Sequence, residues 1–315
     1  MKSLRIVFMG TPEFAVGVLE KILEGPHQVC GVVTAPDKPA GRGRQLNSSA
    51  VKTFALANNL PIWQPTQLKD PEFIDALTAL SADVFVVVAF RMLPKVVWQI
   101  PEQGTFNLHA SLLPNYRGAA PINWVIINGE KQTGVTTFLI DEKIDTGAII
   151  DRKSTSIDAR ETVGSLHDKL KDLGSLLTQE TLDAIALGHT QAIAQEVSGV
   201  FEEAPKLSVA NTKIEWHQTT EQIDAFIRGL NPYPGAWTQL MHQGAPIKCK
   251  IYAASPVDLP PKGIQGTITS TKSELYVTTA NGQLNILELQ LPNKKRMSVK
   301  NLLNGFSFDS KDKFL

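Results

Sequence analysis

Asp83-Val84-Phe85-Val86-Val87-Val88-Ala89-Phe90 includes the uninterrupted apolar run Val84-Phe85-Val86-Val87-Val88, with no polar alternation. A strand with one wet face alternates; an unbroken run is covered on both faces, as in a parallel sheet flanked by helices. Residues 4–9 and 29–34 repeat the pattern upstream, and 104–108, 134–140 and 148–154 read as further strands. Helical stretches separate them: 13–23, 49–58 with a serine cap, and 70–80 with Pro71 in its first turn. A long amphipathic helix from Glu161 to about Leu187 closes the unit. The spacing predicts an open, mostly parallel, Rossmann-like α/β sheet, with ligand sites at the carboxyl ends of its strands.

The pattern changes beyond residue 188. Weak periodicity with Gly199 and Pro205 marks a connecting segment. A helix follows over 220–230, where Thr219 and Gln222 match a capping box. Asn231-Pro232-Tyr233-Pro234-Gly235 stops it. Short strands are then predicted at 236–241, 247–254, 263–270, 274–279 and 284–289, the last pair joined by a turn containing Asn281-Gly282. That spacing indicates a small β-barrel, with Ser298 capping a short helix that ends at Gly305. The expected division is 1–189 for the α/β domain, 190–206 for a linker and 207–315 for the barrel domain.

A chain of 315 residues with a formal net charge of zero is not a general polyanion binder by composition. From residue 207 onward, however, 12 Lys and Arg stand against 8 Asp and Glu, a mild basic excess that could serve a polyanionic partner. No apolar run has the length of a membrane span, and the start enters a strand without signal-peptide architecture. The two cysteines, Cys30 and Cys249, are far apart in strand-like contexts, so a reducing, cytoplasmic setting is expected. No set of His, Cys and carboxylates has ligand spacing, and no metal is expected.

Three strings carry the chemistry: Asn107-Leu108-His109, Ser111-Leu112-Leu113-Pro114 running on to Tyr116-Arg117-Gly118, and Asp145-Thr146-Gly147. Residues two apart on a strand share a face, so Asn107 and His109 point the same way. Amide, imidazole and carboxylate are the parts that stabilise an oxyanion and move a proton in acyl transfer. The bland alternative is a core histidine with two turn residues, but all three fall at strand ends, where such sheets place function. Gly10-Thr11-Pro12-Glu13 has a single glycine and a carboxylate at the helix entrance, which speaks against a dinucleotide fingerprint. The irregular loop 35–44 carries Lys38, Arg42 and Arg44, and Lys294-Lys295-Arg296 forms a second basic cluster. Each reads either as a solvated turn or as a phosphate-contacting patch.

Taken in order, these strings resemble the 10-formyltetrahydrofolate-dependent formyltransferases, and within them the methionyl-tRNA formyltransferase family. The resemblance includes Gly10–Ala15 by position, 36–43, 107–121, Ala204-Pro205-Lys206, 228–237 and 294–297. It implies formyl transfer from 10-formyltetrahydrofolate to the amino group of methionine on initiator tRNA. It also implies an OB-like C-terminal barrel that assists tRNA binding. Independently of the resemblance, a monomer that binds no membrane is expected. By the family pattern Asn107, His109 and Asp145 are catalytic. Ser111, Leu112, Leu113 and Pro114, with Val88, Ala89, Phe90 and Met92, border the folate. Arg42 approaches the acceptor end of the tRNA, and the basic residues Lys38, Arg44, Lys294, Lys295 and Arg296 are expected on the tRNA side by their charge. One departure stands out: many members have Tyr-Gly where this chain has Phe90-Arg91, which changes the wall of the pterin pocket. Amino-sugar nucleotide and glycinamide ribonucleotide formyltransferases share the core, and a tRNA-binding module with a dead α/β domain is the rival from another class. The Gly10–Ala15 loop and the loop carrying Arg42 and Arg44 speak against a sugar nucleotide, the basic barrel domain against glycinamide ribonucleotide, and the intact triad favours an enzyme.

Overall fold

The computed structural model describes residues 2–40, 45–196, 199 and 201–315. The chain divides into two compact units. The first comprises Met1–Gly118, Gln132–Thr155 and His167–Glu203; the second comprises Ala119–Lys131, Ser156–Leu166 and Ala204–Leu315.

In the first unit β1 (Arg5–Gly10) leads through α1 (Glu13–Glu24) to β2 (Gln28–Val33). A short antiparallel hairpin follows, β3 (Lys38–Ala40) with β4 (Gln45–Asn47), then α2 (Ala50–Ala57), β5 (Ile62–Trp63) and α3 (Pro71–Ala79). Next come β6 (Val84–Val88), the one-turn α4 (Lys95–Trp98), β7 (Thr105–His109) and the two-residue β8 (Arg117–Gly118). α5 (Pro121–Ile127), which belongs to the second unit, precedes β9 (Gln132–Leu139) and β10 (Ile149–Ser156), and α6 (Val163–Ala186), most of which lies in the first unit, follows. The main sheet runs β10-β9-β7-β6-β1-β2-β5. Its pairs β7–β6, β6–β1, β1–β2 and β2–β5 are parallel, and β9 joins β7 antiparallel.

The apolar run at 84–88 lies in the middle of this sheet and is buried along its whole length. Phe85 and Val87 pack with Val7, Met9, Phe73 and Leu77, while Ile6, Phe8, Val84, Val86 and Val88 fill the opposite face. Truncating a side chain such as Phe85 to alanine would cost ~3–5 kcal/mol. Local signals set the helix ends: Ser49 accepts from Lys52 N at 3.0 Å, and Asp70 accepts from Glu72 N at 3.0 Å ahead of Pro71.

In the second unit β11 (Glu203–Ala204) precedes α7 (Thr220–Gly229), which opens with the Thr219/Gln222 capping box. Then follow β12 (Ala236–His242), β13 (Ala245–Val257), β14 (Ile268–Ser270), β15 (Leu275–Thr278), β16 (Gln283–Gln290), β17 (Met297–Ser298), α8 (Val299–Leu303) and β18 (Lys313–Phe314). The sheet order is β14-β15-β16-β13-β12-β18. Its two ends meet where Phe314 N donates to Gly266 O at 2.9 Å and Thr267 bridges Lys313, so the antiparallel sheet is nearly a closed barrel. The strand predicted at 263–270 shrinks to Ile268–Ser270. Gly263 and Gly266 have φ of +87° and +82°, and a Cβ at Gly266 would lie 2.2 Å from Phe314 O. Those glycines bend the chain so that the barrel can close.

Both cysteines are free. Burial pushes the Cys249 thiol up to about 12, and burial is also the main cause that raises Cys30, whose Sγ meets Ile6 O at 3.2 Å. A chromogenic disulfide reagent at pH 8 is therefore expected to leave Cys249 unmodified in the native protein and to label both thiols after denaturation. Rapid native labelling of Cys249 would show that the barrel core is open.

Candidate active site

The register of the parallel sheet aligns three strand ends. Gly10 pairs with Val88, and Val88 with Leu108, so Thr11, Ala89 and His109 leave the sheet side by side at its carboxyl edge. Asn107 and His109 alternate with the buried Phe106 and Leu108. Asn107 is half-buried, and among the described residues its side-chain amide has no hydrogen-bond partner. The amide is thus left to donate outward from the sheet.

His109 is buried, with its Nε2 at 2.8 Å from Tyr116 O. A carbonyl only accepts, so Nε2 carries the hydrogen and Nδ1 is the free edge of the neutral ring. Nδ1 faces Asp145 Oδ2 at 3.8 Å, within ion-pair range but too long for a direct hydrogen bond. Asp145 in turn accepts from Gly118 N at 2.9 Å. The stretch Tyr116-Arg117-Gly118 therefore touches both members of the pair, the ring through a carbonyl and the carboxylate through an amide.

The Asp145-Thr146-Gly147 turn has a steric basis. Asp145 adopts φ +57°, in the left-handed region that aspartate tolerates better than most residues. Gly147 is buried, and a Cβ there would sit 1.6 Å from Leu139 O. Thr146 Oγ1 donates to the Asp141 carboxylate at 2.8 Å and closes the loop. Gln195 Nε2 donates to Asp145 O at 3.0 Å and to Gly147 O at 2.8 Å, and Arg117 Nη2 donates to Gln195 Oε1. Gln195 and the Arg117 side chain carry no role in the sequence reading; their partners are an amide and main-chain carbonyls, which leave no motif.

The loop after His109 is built inward. Ser111 and Leu113 are fully buried. Ser111 Oγ donates to Asn115 O at 2.7 Å, and Thr136 Oγ1 donates to Ser111 O at 2.7 Å. Leu113 packs on Phe138 and Ile149, and its carbonyl accepts from Arg152 Nη1 at 2.8 Å. Leu112 and Pro114 are half-buried, so of the four residues expected near a folate these two keep accessible side chains. Pro114 lines a cavity of about 620 Å³ with Ile149, Arg152, Ile193, Gln195 and Phe201. At the neighbouring strand end Val88 is buried, Ala89 has φ +47°, Phe90 is half-buried and Met92 is 64% exposed. Arg91 is turned away onto another loop: Nη2 donates to Pro65 O at 2.7 Å and Nη1 to Thr66 O at 3.2 Å, with its guanidinium 5.3 Å from the Phe90 ring. Burial lowers its pKa. The Phe90-Arg91 pair thus fastens loop 65–66 to this edge.

The cations expected to face the tRNA divide between the two units. Lys38 is exposed on β3, while Arg42 and Arg44 lie outside the described residues. Lys294 and Lys295 are exposed with no ion pair among the described residues. Arg296 is engaged: Nε donates to Glu288 at 2.9 Å, Nη1 to Asn231 Oδ1 at 3.2 Å, and its guanidinium lies 4.5 Å from the Tyr252 ring. Among the described residues no group of three His, Cys, Asp or Glu could hold a metal ion, and no helix is long and apolar enough to cross a membrane.

Comparison with known proteins places the whole chain in one family. The family model described as formyl transferase matches residues 4–182, and that described as formyl transferase, C-terminal domain, matches 206–307. The chain belongs to the formyl transferase family. Curated relatives carry a more particular name. The methionyl-tRNA formyltransferase of Flavobacterium johnsoniae is 52% identical over 313 residues, covering 99% of each chain. That of Bacteroides fragilis is 48% identical over 310 residues, covering 97% of this chain and 96% of the relative. Among solved structures, a sugar 3N-formyl transferase, WlaRD, superposes with a TM-score of 0.65 at 21% identity, over 94% of this chain and 100% of the other. HypX from Aquifex aeolicus in complex with tetrahydrofolic acid gives 0.65 at 17%, over 98% of this chain and 49% of that one. At these identities the structural likeness shows a shared fold.

Gly147→Ala puts a methyl group against a main-chain carbonyl that cannot move without shifting β9. It is expected to cost roughly 3 kcal/mol of stability, read as a lowered denaturation midpoint. An unchanged midpoint would mean that the turn is looser than described.

Proposed function

We infer that the protein transfers the formyl group of 10-formyltetrahydrofolate to the free amino group of methionine on initiator tRNA, the step that prepares the initiator for translation. The observation that carries this reading is the 52% identity to a methionyl-tRNA formyltransferase over 99% of both chains. The site chemistry supports it. An amide with no hydrogen-bond partner among the described residues, beside a buried imidazole and a carboxylate, suits a carbonyl whose oxygen becomes negative while an amine loses a proton.

The folate derivative is the second substrate and supplies the formyl carbon. The Asn107 amide donates to the formyl oxygen as negative charge builds there. The methionine nitrogen forms the new bond to the formyl carbon. It releases a proton to His109 Nδ1, the ring edge left free by the Tyr116 hydrogen bond. Asp145 offsets the positive charge on the ring. That proton goes to the departing folate nitrogen as its bond to the formyl carbon breaks, and the ring returns to its neutral form. Leu112, Pro114, Val88, Ala89, Phe90 and Met92 border the folate, and buried Ser111 and Leu113 hold that border in place. Lys294 and Lys295 supply unpaired positive charge to the tRNA backbone, with Lys38, Arg42 and Arg44 on the 35–44 loop.

In a test with purified protein and 10-formyltetrahydrofolate, formylation is expected with methionyl initiator tRNA and not with an amino-sugar nucleotide. Asn107→Ala and His109→Ala should each lower kcat by ~10²–10³. Near-normal turnover in both variants would overturn the residue assignment. A preference for the sugar nucleotide would overturn the substrate assignment.

A further inference from the structure

The carboxylate of Asp145 is placed by its turn, and the turn is held from outside by Gln195. Segment 190–196 lies against the start of β10, where Ile149 and Ile193 exchange two main-chain hydrogen bonds of 2.8 Å. From this anchored segment Gln195 Nε2 reaches Asp145 O at 3.0 Å and Gly147 O at 2.8 Å, on either side of Thr146. Both acceptors are carbonyls, so the nitrogen of the amide must face the turn and its oxygen must face away. The oxygen is taken by Arg117 Nη2, which fixes that orientation. Among the described residues the Arg117 Nε is buried without a hydrogen-bond partner, and it is Nη2 that makes the contact to Gln195.

Two features make this clamp more than surface glue. Asp145 sits at φ +57°, a left-handed conformation that a non-glycine residue keeps only where its surroundings hold it there. Arg117 is also the link between Tyr116, whose carbonyl holds the His109 ring, and Gly118, whose amide holds the Asp145 carboxylate. One short stretch therefore sets ring, carboxylate and clamp together.

We propose that Gln195, oriented by Arg117, is a positioning residue for formyl transfer: it fixes the main chain of the Asp145 turn and thereby the placement of the carboxylate against His109 Nδ1. The proposal rests on the assignment of Asp145 as a catalytic group. A glutamate at 195 cannot serve, since its carboxylate has no hydrogen to donate and would face two carbonyl oxygens.

The test is a double-mutant cycle on the full-length protein with Gln195→Ala, Gln195→Glu, Asp145→Asn and the Gln195→Ala/Asp145→Asn pair, measuring kcat, both KM values and the denaturation midpoint. Gln195→Ala is expected to lower kcat about ten- to hundredfold, the effect of a small misplacement of a catalytic group, with both KM values and the midpoint close to wild type. Gln195→Glu should do no better. In the Asp145→Asn background, removal of Gln195 should cost almost nothing more, because the group it positions is already gone. Wild-type kcat in Gln195→Ala alongside an inactive Asp145→Asn would overturn the proposal and leave the catalytic assignment standing. So would an equal loss from Gln195→Ala in both backgrounds. Wild-type kcat in Asp145→Asn would overturn the catalytic assignment itself.

Discussion

The hydrogen bond from His109 Nε2 to the carbonyl of Tyr116 decides which edge of the imidazole can do chemistry. Because the acceptor can never donate, the bond commits one nitrogen permanently and turns the other toward Asp145. The remaining site geometry follows from keeping Tyr116 where it is. Tyr116 has φ +60°, and its amide donates to Glu202 O at 2.6 Å. Two residues later the Gly118 amide reaches the Asp145 carboxylate. The ring and the carboxylate come from strands β7 and the β9–β10 turn, yet both are set by the same three residues.

The sheet was legible because burial on two faces leaves a local trace. The uninterrupted 84–88 run requires cover above and below, and the structure buries every one of those residues. Caps at Ser49, Thr219 and Ser298 were legible for the same reason, since donor and acceptor lie within three residues. Helix α5 was not: its seven residues include Pro121 and four β-branched side chains and carry no clear periodicity. Its stability comes from α7 instead, where Asn123 Nδ2 donates to Gly229 O at 2.8 Å and a Cβ on Gly229 would sit 2.6 Å from Ile127. The hairpin of β3 and β4 was also missed, because Pro39 inside a strand argues against one unless the strand is an edge.

The site was legible in part. Alternation along β7 places Asn107 and His109 on one face, and any sequence reading can use that period of two. The approach of Asp145 depends on a 36-residue excursion through α5 and β9 and back, which pattern alone does not specify. Ser111 and Leu113 show the converse: a recognisable string whose side chains turn inward to build the loop. In the C-terminal unit, the compact string Lys294-Lys295-Arg296 separates on folding into two lysines with no ion pair among the described residues and one arginine fastened to Glu288 and Asn231. Net charge alone could not make that distinction, because it depends on where β16 brings its carboxylate.

The central claim is that the fold itself selects the protonation pattern of His109. Long-range ¹⁵N–¹H correlation spectroscopy of the imidazole rings, with His109 assigned by comparison with a His109 variant, reads that pattern directly. The account predicts that neutral His109 carries its hydrogen on Nε2 and presents an unprotonated Nδ1. A neutral ring protonated on Nδ1 would contradict it, and with it the route by which the proton leaves the amine.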